Sequence, residues 1–595
     1  MCGIVGYIGE RAAQPVLINC LKRLEYRGYD SCGIALLGGY TEIYKDAVRI
    51  EALEKSLQPN DSVIGIGHTR WATHGKPSEV NAHPHSDCSG KIAVVHNGVI
   101  ENYMQLREQL TGEGHVFSSE TDTEVIPHLI EKYYDRNLEQ AVSRALNEIT
   151  GSYAFITIHA DSGELILSRK DSPLIIGIGD GEYFVASDVP AVLDYTDRVI
   201  YLEDGDLAAI TKQGISITNN NERVTRVEDR VPWTVEEAQK AGYEHFMIKE
   251  IHEQPKVIRN TFAGHISALE SEVELGLKNK EMGFSNILIL ACGTSYHAAL
   301  IGKHVIQKLT QVPVTVDIAS EFNYSESVLG NTLVMVITQS GETADCMKAL
   351  KKAKELGCYT LVITNVVGSS AARIADDVLY IKAGPEISVA ATKSFVAQLV
   401  MLYLFALSRS SIDVRSRASL IAELRQLPNK IHEILNREED IAEQGRYLAG
   451  YENAFFVARG ISYPVALEGA LKVKEIAYIH AEGYAAGELK HGPFALLTPE
   501  TPVIAIATRD NTYETILANI KEIKARESPV VAIAEDGDDE IGKYVDAVIR
   551  IPSVDPLFAP TTAVVALHLL AYYTAKERGC SIDMPRNLAK SVTVE

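Results

Sequence analysis

The sequence predicts a multidomain α/β protein, with one domain of short strands and turns followed by two α/β repeats on parallel sheets. Three observations carry that expectation. Up to about residue 240, short runs of Val, Ile, Tyr and Thr are separated by Gly, Asn and Asp, the texture of strands joined by turns. Beyond it, apolar runs are each followed by a small-residue turn and a long helical pattern, the order of a parallel sheet with crossover helices. That order then occurs twice. ILACGTSYHAAL (289–300) parallels FFVARGISYPVAL (455–467), which sets Cys292 on Arg459, 167 residues on. TLVMVITQSGET (332–343) parallels TPVIAIATRDNT (501–512), and LVITN (361–365) parallels VVAIA (530–534), both at a shift of 169. Two in-step repeats explain this better than chance.

Taken in order, residues 2–8, 92–96, 153–159 and 164–168 read as strands, and 12–24 and 123–133 as helices. The segment VPWTVEEAQ (231–239) ends this texture and a charged, helical stretch (243–258) follows, so a boundary falls near 240. The near-continuous apolar runs 286–291, 332–338 and 360–364 are those of buried parallel strands. The longest apolar stretch, 394–408, is interrupted by Gln398; it is too short to cross a bilayer and reads as a buried helix. With the join between repeats expected between 425 and 450, the domains are 1–240, 241–435 and 436–595. The two repeats differ at one turn, where the first has Gln-Ser-Gly-Glu-Thr and the second Thr-Arg-Asp-Asn-Thr. That difference points to divided duties.

At 595 residues the chain exceeds one hydrophobic core, and 46% hydrophobic with 23% charged residues is a globular composition. A net charge of −22 argues against nucleic acid or an anionic membrane as the main partner. An anionic small molecule stays open, because a pocket can be locally positive. The eight cysteines, at 2, 20, 32, 88, 292, 346, 358 and 580, form no CxxC pair and fit no zinc module. With no secretory signal, the expectation is free thiols in a soluble, cytoplasmic protein.

Cys2 follows the initiator methionine. Removal of Met1 would put a thiol and a free α-amino group on one residue. An amine with a pKa of about 7.7–8.0 is a suitable base for a thiol with a pKa of about 8.5, so one residue holds both parts of an activated nucleophile. Position 2 alone proves nothing. Arg70 offers a fork for a carboxylate, Asp122 a charge for an ammonium, and Asn97 with the Gly98 N–H an oxyanion hole. Singly these read equally as an ion pair, a helix N-cap and a hairpin turn. His68, His74, His83, His85 and His96 show no HxxxH or HExxH spacing, so no metal is expected.

Four segments together resemble the class II glutamine amidotransferases: MCGIVGYIG at the start, GHTRWATHG (67–75), HNGVIENY (96–103) and SSETDTE (118–124). The resemblance implies an N-terminal-nucleophile αββα domain with Cys2 as nucleophile and Asn97 and Gly98 as oxyanion hole. It implies Arg70, Thr73, His74 and Asp122 as the glutamine site and Trp71 as the gate of an ammonia passage.

In the second half, CGTSYHAA (292–299) and QSGETAD (339–345) each follow an apolar strand and open a helix. Hydroxyl and small residues at such a turn surround an anion with N–H groups and oxygens at a positive helix end. Ser295, Gln339, Ser340 and Thr343 are therefore candidates for a phosphate cradle, although Ser and Thr also serve there as plain N-caps. No GxxxxGK[ST] motif occurs, and GIGDG (177–181) is a lone turn. Glu468, Lys472 and Glu475 recur at i, i+4 and i+7 on one helix face, which fits either a catalytic set or an exposed ion-pair ladder.

The repeats resemble sugar isomerase (SIS) domains. From end to end, through MIKEIHEQP (247–255), LEGALKVKEIAYIHAEGYAAGELKHGP (467–493) and PRNLAKSVTVE (585–595), the chain is similar to the glutamine–fructose-6-phosphate aminotransferase family. That similarity implies two SIS-type α/β/α repeats with a catalytic C-terminal tail. It implies Glu475 as the base moving a proton from C1 to C2, His491 as ring opener supplied by the other subunit of a homodimer, and Lys590 as a Schiff-base lysine. Thr294, Thr338, Val389, Glu468, Lys472 and Ala589 join Ser295, Gln339, Ser340 and Thr343 as sugar-phosphate positions. The one departure is Thr338, where the family pattern has Ser and a hydroxyl remains. L-glutamine and D-fructose 6-phosphate are the implied substrates, with no cofactor, no nucleic acid and no membrane, and ammonia is passed along an internal channel closed in part by the tail. The reaction would open hexosamine (UDP-N-acetylglucosamine) synthesis.

Other amidotransferases that act on phosphoribosylpyrophosphate or aspartate fit less well, since neither pyrophosphate nor ATP signatures occur. A related enzyme for another hexose phosphate is a closer alternative. A sugar-phosphate sensor would need no Cys2, Glu475 and Lys590 together, and no DNA-binding segment is evident.

Overall fold

A computed structural model describes residues 2–71, 75–231, 239–266, 272–278, 283–325 and 330–592. The chain forms two compact units. One comprises residues 1–238 with 342–344 and 589–595; the other comprises 239–341 with 345–588.

The N-terminal unit is built on two antiparallel sheets of eight and seven strands. Gly3–Ile8 lies inside the first sheet, between Ile64–Arg70 and Tyr183–Ala186. In the second sheet Ile92–Ile100 pairs along its length with Gly151–His159, which pairs with Leu165–Lys170. The strands and helices expected from the sequence of this region are present, including helices Ala13–Leu24 and Val125–Tyr133. Alternate side chains of both sheets meet in one core of Ile4, Ile66, Val95, Ile156, Leu167, Val185 and neighbours. A second core joins the outer face of the second sheet to helices Tyr103–Gly112, Val125–Tyr133 and Leu138–Leu146. With Ala13–Leu24 packed on the first sheet, the layers run helix, sheet, sheet, helix. That is the αββα order the resemblance implied.

The other unit contains two five-stranded sheets, every pairing parallel. In the first the order is Val314–Ile318, Asn286–Ala291, Thr332–Ile337, Tyr359–Thr364, Asp377–Tyr380. In the second it is His480–Ala485, Asn453–Ala458, Val503–Ile506, Val530–Glu535, Ala547–Ile551. Both follow the sequence 2-1-3-4-5, so the repeat seen in the residues is a repeat of topology. Parallel neighbours need a crossover, and the long helices Gly293–Thr310 and Tyr463–Ala477 supply the first one in each repeat. Two long helices, Val414–Leu435 and Glu438–Leu448, lie in sequence between the repeats.

The apolar stretch read as a buried helix is Lys393–Ser408, buried from Lys393 through Leu407. Its counterpart Ala559–Glu577 is buried nearly as completely. Helices that are apolar all round belong in the interior of a large protein, and one core containing both extends through the two repeats. Among the described residues no helix is long and apolar enough to cross a membrane. Close packing shows at Gly302, where an added Cβ would lie 2.9 Å from Leu402 Cδ1. Replacing the fully buried Leu402 by Ala should cost about 2–5 kcal/mol, seen as a lower denaturant midpoint for the SIS repeats.

Candidate active site

Cys2 lies one residue before the strand Gly3–Ile8. Gly3 opposes Thr69 in the adjacent strand, and an added Cβ there would lie 2.6 Å from Thr69 Oγ1. The glycine thus lets the start of the chain lie against the end of the strand Ile64–Arg70. Trp71 N–H donates to Cys2 Sγ at 3.4 Å, and the thiol faces the Trp71 carbonyl at 3.5 Å. Asn97 Nδ2 donates to the Cys2 carbonyl at 3.0 Å, and Arg27 Nε reaches the same oxygen at 3.3 Å.

Asn97 and Gly98 are not a hairpin turn. They lie inside Ile92–Ile100, opposite Ala154 and Tyr153. Gly98 has φ +123°, and an added Cβ would sit 2.1 Å from the Ser152 carbonyl oxygen, so the backbone here demands glycine. Asn97 Oδ1 accepts no hydrogen bond among the described residues. Asp122 does not cap a helix through its side chain either; its Oδ2 accepts the Ile100 N–H at 2.8 Å. Arg70 is buried at its strand end and donates to the Gly75 carbonyl at 3.1 Å. Burial lowers its pKa, while Cys2, Asp122 and Asp30 oppose that shift through their charge. Arg70 is therefore near enough to feel the charges of both Asp122 and Cys2. Thr73 and His74 lie outside the described residues.

The remaining histidines of this region form a neutral buried network. His68 Nε2 is 3.0 Å from the His96 carbonyl, His96 Nδ1 2.8 Å from Thr123 Oγ1, and His85 Nε2 3.1 Å from Thr121 Oγ1. His68 and His83 stack with ring centroids 4.0 Å apart. Burial pushes His68 down to about 3 and also lowers His83, His85 and His96.

In the other unit the helix Tyr463–Ala477 presents Glu468, Lys472 and Glu475 on one face, but not as an exposed ladder. Glu468 and Lys472 are fully buried. Lys472 Nζ lies 2.5 Å from Glu475 Oε2, 3.4 Å from Glu468 Oε1 and 3.1 Å from Thr294 Oγ1. Glu468 also accepts from Thr294 Oγ1 at 3.0 Å and lies 2.7 Å from His297 Nδ1. Burial opposes both charges, yet Lys472 and His297 hold the Glu468 carboxyl below its usual range. The two carboxylates hold Lys472 above its own. His297 escaped the sequence reading although it lies in the CGTSYHAA motif. Its position three residues after Thr294 puts it on the same helix face, which was the available signal.

Ser295 Oγ accepts from Gln398 Nε2 at 3.0 Å, a second partner the residue pattern did not reveal. Thr338 Oγ1 accepts the Gly341 N–H at 3.3 Å, and the Gln339 carbonyl accepts the Asn365 N–H at 3.1 Å. Ser340 is half-buried in the same turn. The Val389 N–H donates to the Asp583 carbonyl at 3.0 Å. His491 is exposed at the end of the short turn Ala486–His491, whereas Glu468 and Lys472 are buried. Thr343, Ala589 and Lys590 fall in the segments that group with the N-terminal residues, where the Ala344 N–H donates to the Val592 carbonyl at 3.0 Å.

The neutral histidines give a pH dependence of known sign. Their folded pKa values lie below the ordinary 6.5, so the unfolded chain binds protons that the fold refuses. Stability is complete above about pH 6.5 and falls at lower pH, for His68 by about 1.4 kcal/mol per pH unit down to about pH 3 and for the other three in the same direction. His83→Gln should flatten that slope below about pH 6, measured from denaturant midpoints of the N-terminal unit.

Two family models match the chain: a glutamine amidotransferase domain over 68–194, and the SIS domain over 284–408 and again over 447–576. A glutamine–fructose-6-phosphate aminotransferase (isomerizing) of Methanosarcina mazei is 52% identical over 100% of both chains. The protein of that name from Caldanaerobacter subterraneus is 48% identical, again over 100% of both. The solved C-terminal domain of glucosamine-fructose-6-phosphate aminotransferase from Francisella tularensis superposes with a TM-score of 0.56 at 36% identity. It covers 58% of this chain and 100% of that one. With that likeness running the full length of the molecule, the chain belongs to the glutamine–fructose-6-phosphate aminotransferase (isomerizing) family.

Proposed function

We propose that this chain moves the amide nitrogen of L-glutamine onto D-fructose 6-phosphate, giving L-glutamate and D-glucosamine 6-phosphate. The position of Cys2 carries the reading. A thiol on the second residue, with Trp71 on its sulfur and Asn97 on its carbonyl, is the arrangement of an N-terminal nucleophile once Met1 is removed. The freed α-amine takes the thiol proton, and the thiolate attacks the glutamine amide carbon. Asn97 Nδ2 and the Gly98 N–H receive the oxyanion. Ammonia leaves, and water releases glutamate from the thioester. Arg70 takes the α-carboxylate and Asp122 the α-ammonium, with Thr73 and His74 completing the glutamine site and Trp71 gating the ammonia.

In the SIS repeats, Ser295, Gln339, Ser340 and Thr343 hold the phosphate, with Thr294, Thr338, Val389 and Ala589 beside the sugar. Glu475 moves the proton from C1 to C2. Its support is geometric: Lys472, buried between Glu468 and Glu475, holds this carboxylate at the rim of the packed core. Lys590 forms the Schiff base with the ketose C2. His491 opens the ring from the neighbouring subunit of a homodimer, a role that suits an exposed residue. The reaction would begin hexosamine synthesis in the cytoplasm, with no cofactor.

Amide-15N glutamine, supplied with fructose 6-phosphate and excess unlabelled ammonium, should give 15N-labelled glucosamine 6-phosphate by mass spectrometry. Unlabelled product would sink the direct transfer of ammonia. Cys2→Ala should lose glutamine-dependent synthesis by about a thousandfold or more while sugar-phosphate affinity stays the same. Glu475→Gln should keep glutamine hydrolysis and lose synthesis by about a hundredfold to ten-thousandfold. Mixing Glu475→Gln with His491→Ala tests the shared site. Random pairing leaves one intact site in each mixed dimer, so about a quarter of wild-type activity returns if His491 acts across a twofold interface. None returns if it acts within its own chain.

A further inference from the structure

Four side chains outside both sites converge on one point of the N-terminal unit. Cys88 follows the short strand His85–Ser86, His115 follows the helix Tyr103–Gly112, and His128 and Glu131 lie one turn apart on Val125–Tyr133. One ligand atom from each lies within 4.8 Å of all the others. Cys88 Sγ is 3.5 Å from His128 Nδ1 and 3.8 Å from His115 Nδ1. Glu131 Oε2 is 2.9 Å from His115 Nδ1 and 3.4 Å from His128 Nδ1. Both Nδ1 atoms address the same sulfur and the same carboxylate oxygen, and Glu131 Oε2 also accepts the Cys88 N–H at 3.2 Å, so the four groups share one centre. A tetrahedral ion accounts for it well. Bonds of about 2.3 Å to sulfur and about 2.0–2.1 Å to nitrogen and oxygen separate neighbouring ligand atoms by about 3.3–3.6 Å. The four spacings bracket that range.

We propose that Cys88, His115, His128 and Glu131 form a tetrahedral site for a zinc-class divalent cation. One thiolate, two imidazoles and one carboxylate select zinc-like ions over magnesium or calcium. The surroundings fit as well. The Val116 N–H donates to Cys88 Sγ at 3.4 Å. The far nitrogen of His128 faces Glu124 Oε1 at 3.9 Å, and that carboxylate is itself fixed by hydrogen bonds from Ser118 and Ser119. At that separation Glu124 acts on the imidazole through its charge and not through a hydrogen bond. His128 is 1% exposed while Cys88 is open to solvent, so the ion has a fixed anchor and an entry path. On binding, the thiol proton passes to solvent as the sulfur–metal bond forms. The ion clamps three separate segments, one of them the helix that directly follows Asp122. Residue spacing predicted no metal because these ligands come from three stretches of chain and match no module.

Cobalt titration of the full-length, chelator-stripped protein tests this. Wild type should take up one Co2+ per chain, with a thiolate-to-cobalt charge-transfer band and tetrahedral visible bands. The band should persist in Cys2→Ala and vanish in Cys88→Ser, with Co2+ affinity falling by more than about a hundredfold. His115→Gln should keep the thiolate and weaken binding at least about tenfold. Zinc reloading should raise the thermal midpoint of wild type and not of Cys88→Ser. A wild type without the thiolate band, or a Cys88→Ser variant that binds as wild type does, overturns the site.

Discussion

Lys472 holds a positive charge where no solvent reaches it. A buried ammonium without partners would be destabilising by several kcal/mol. Its environment answers that demand: Glu468 and Glu475 from its own helix, and the Thr294 hydroxyl from the first repeat. Glu468 in turn reaches Thr294 and His297. A polar cluster thus ties the helix Tyr463–Ala477 to the helix Gly293–Thr310, beside a core of aliphatic residues with Phe, Tyr and Met. The same requirement fixes Glu475, half-buried and pinned through its carboxylate. The acid/base role proposed for Glu475 needs a group that is both oriented and reachable.

The two repeats differ in how each turn uses its polar atoms. At the first repeat's second strand end, Gly341 adopts φ +70°, and an added Cβ would lie 2.1 Å from Ser369 Oγ. Only glycine lets the backbone fold that tightly, and inside the turn the Thr338 hydroxyl accepts the Gly341 N–H. The equivalent turn of the second repeat satisfies itself. Asp510 Oδ1 accepts both the N–H and the hydroxyl of Thr512, and the Arg509 N–H goes to Glu535. The second repeat instead contributes the carboxylates and the lysine of its first helix.

In the N-terminal unit two sheets packed face to face set the chemistry. Cys2 precedes an inner strand of one sheet and Asn97 sits inside a strand of the other, and the Asn97–Cys2 hydrogen bond joins them. Around them the histidines stay neutral because burial disfavours the imidazolium. His68, His83, His85 and His96 therefore serve packing and hydrogen bonding. The metal ligands proposed here come from other residues.

Much of the architecture was legible in the residues because periodicity and repetition are local signals. Strand texture to residue 240, apolar runs for parallel strands, the buried helix at Lys393–Ser408 and the doubled topology each rest on patterns within a short window. The motifs around Cys2, Arg70, Asn97 and Asp122 were likewise readable, as was the i, i+4, i+7 face of Glu468, Lys472 and Glu475. Sequence could not choose between an exposed ion-pair ladder and a buried cluster there, because burial depends on what packs against that face. It could not separate a hairpin Asn-Gly from one inside a strand, which only pairing with Ala154 and Tyr153 decided. His297, Gln398 and the Cys88–His115–His128–Glu131 cluster depend on contacts between segments far apart in the chain. Residue identity alone thus determined the elements, their repetition and the chemical groups available. Tertiary packing decided which groups meet and which lose water, since charge and coordination depend on distance and burial.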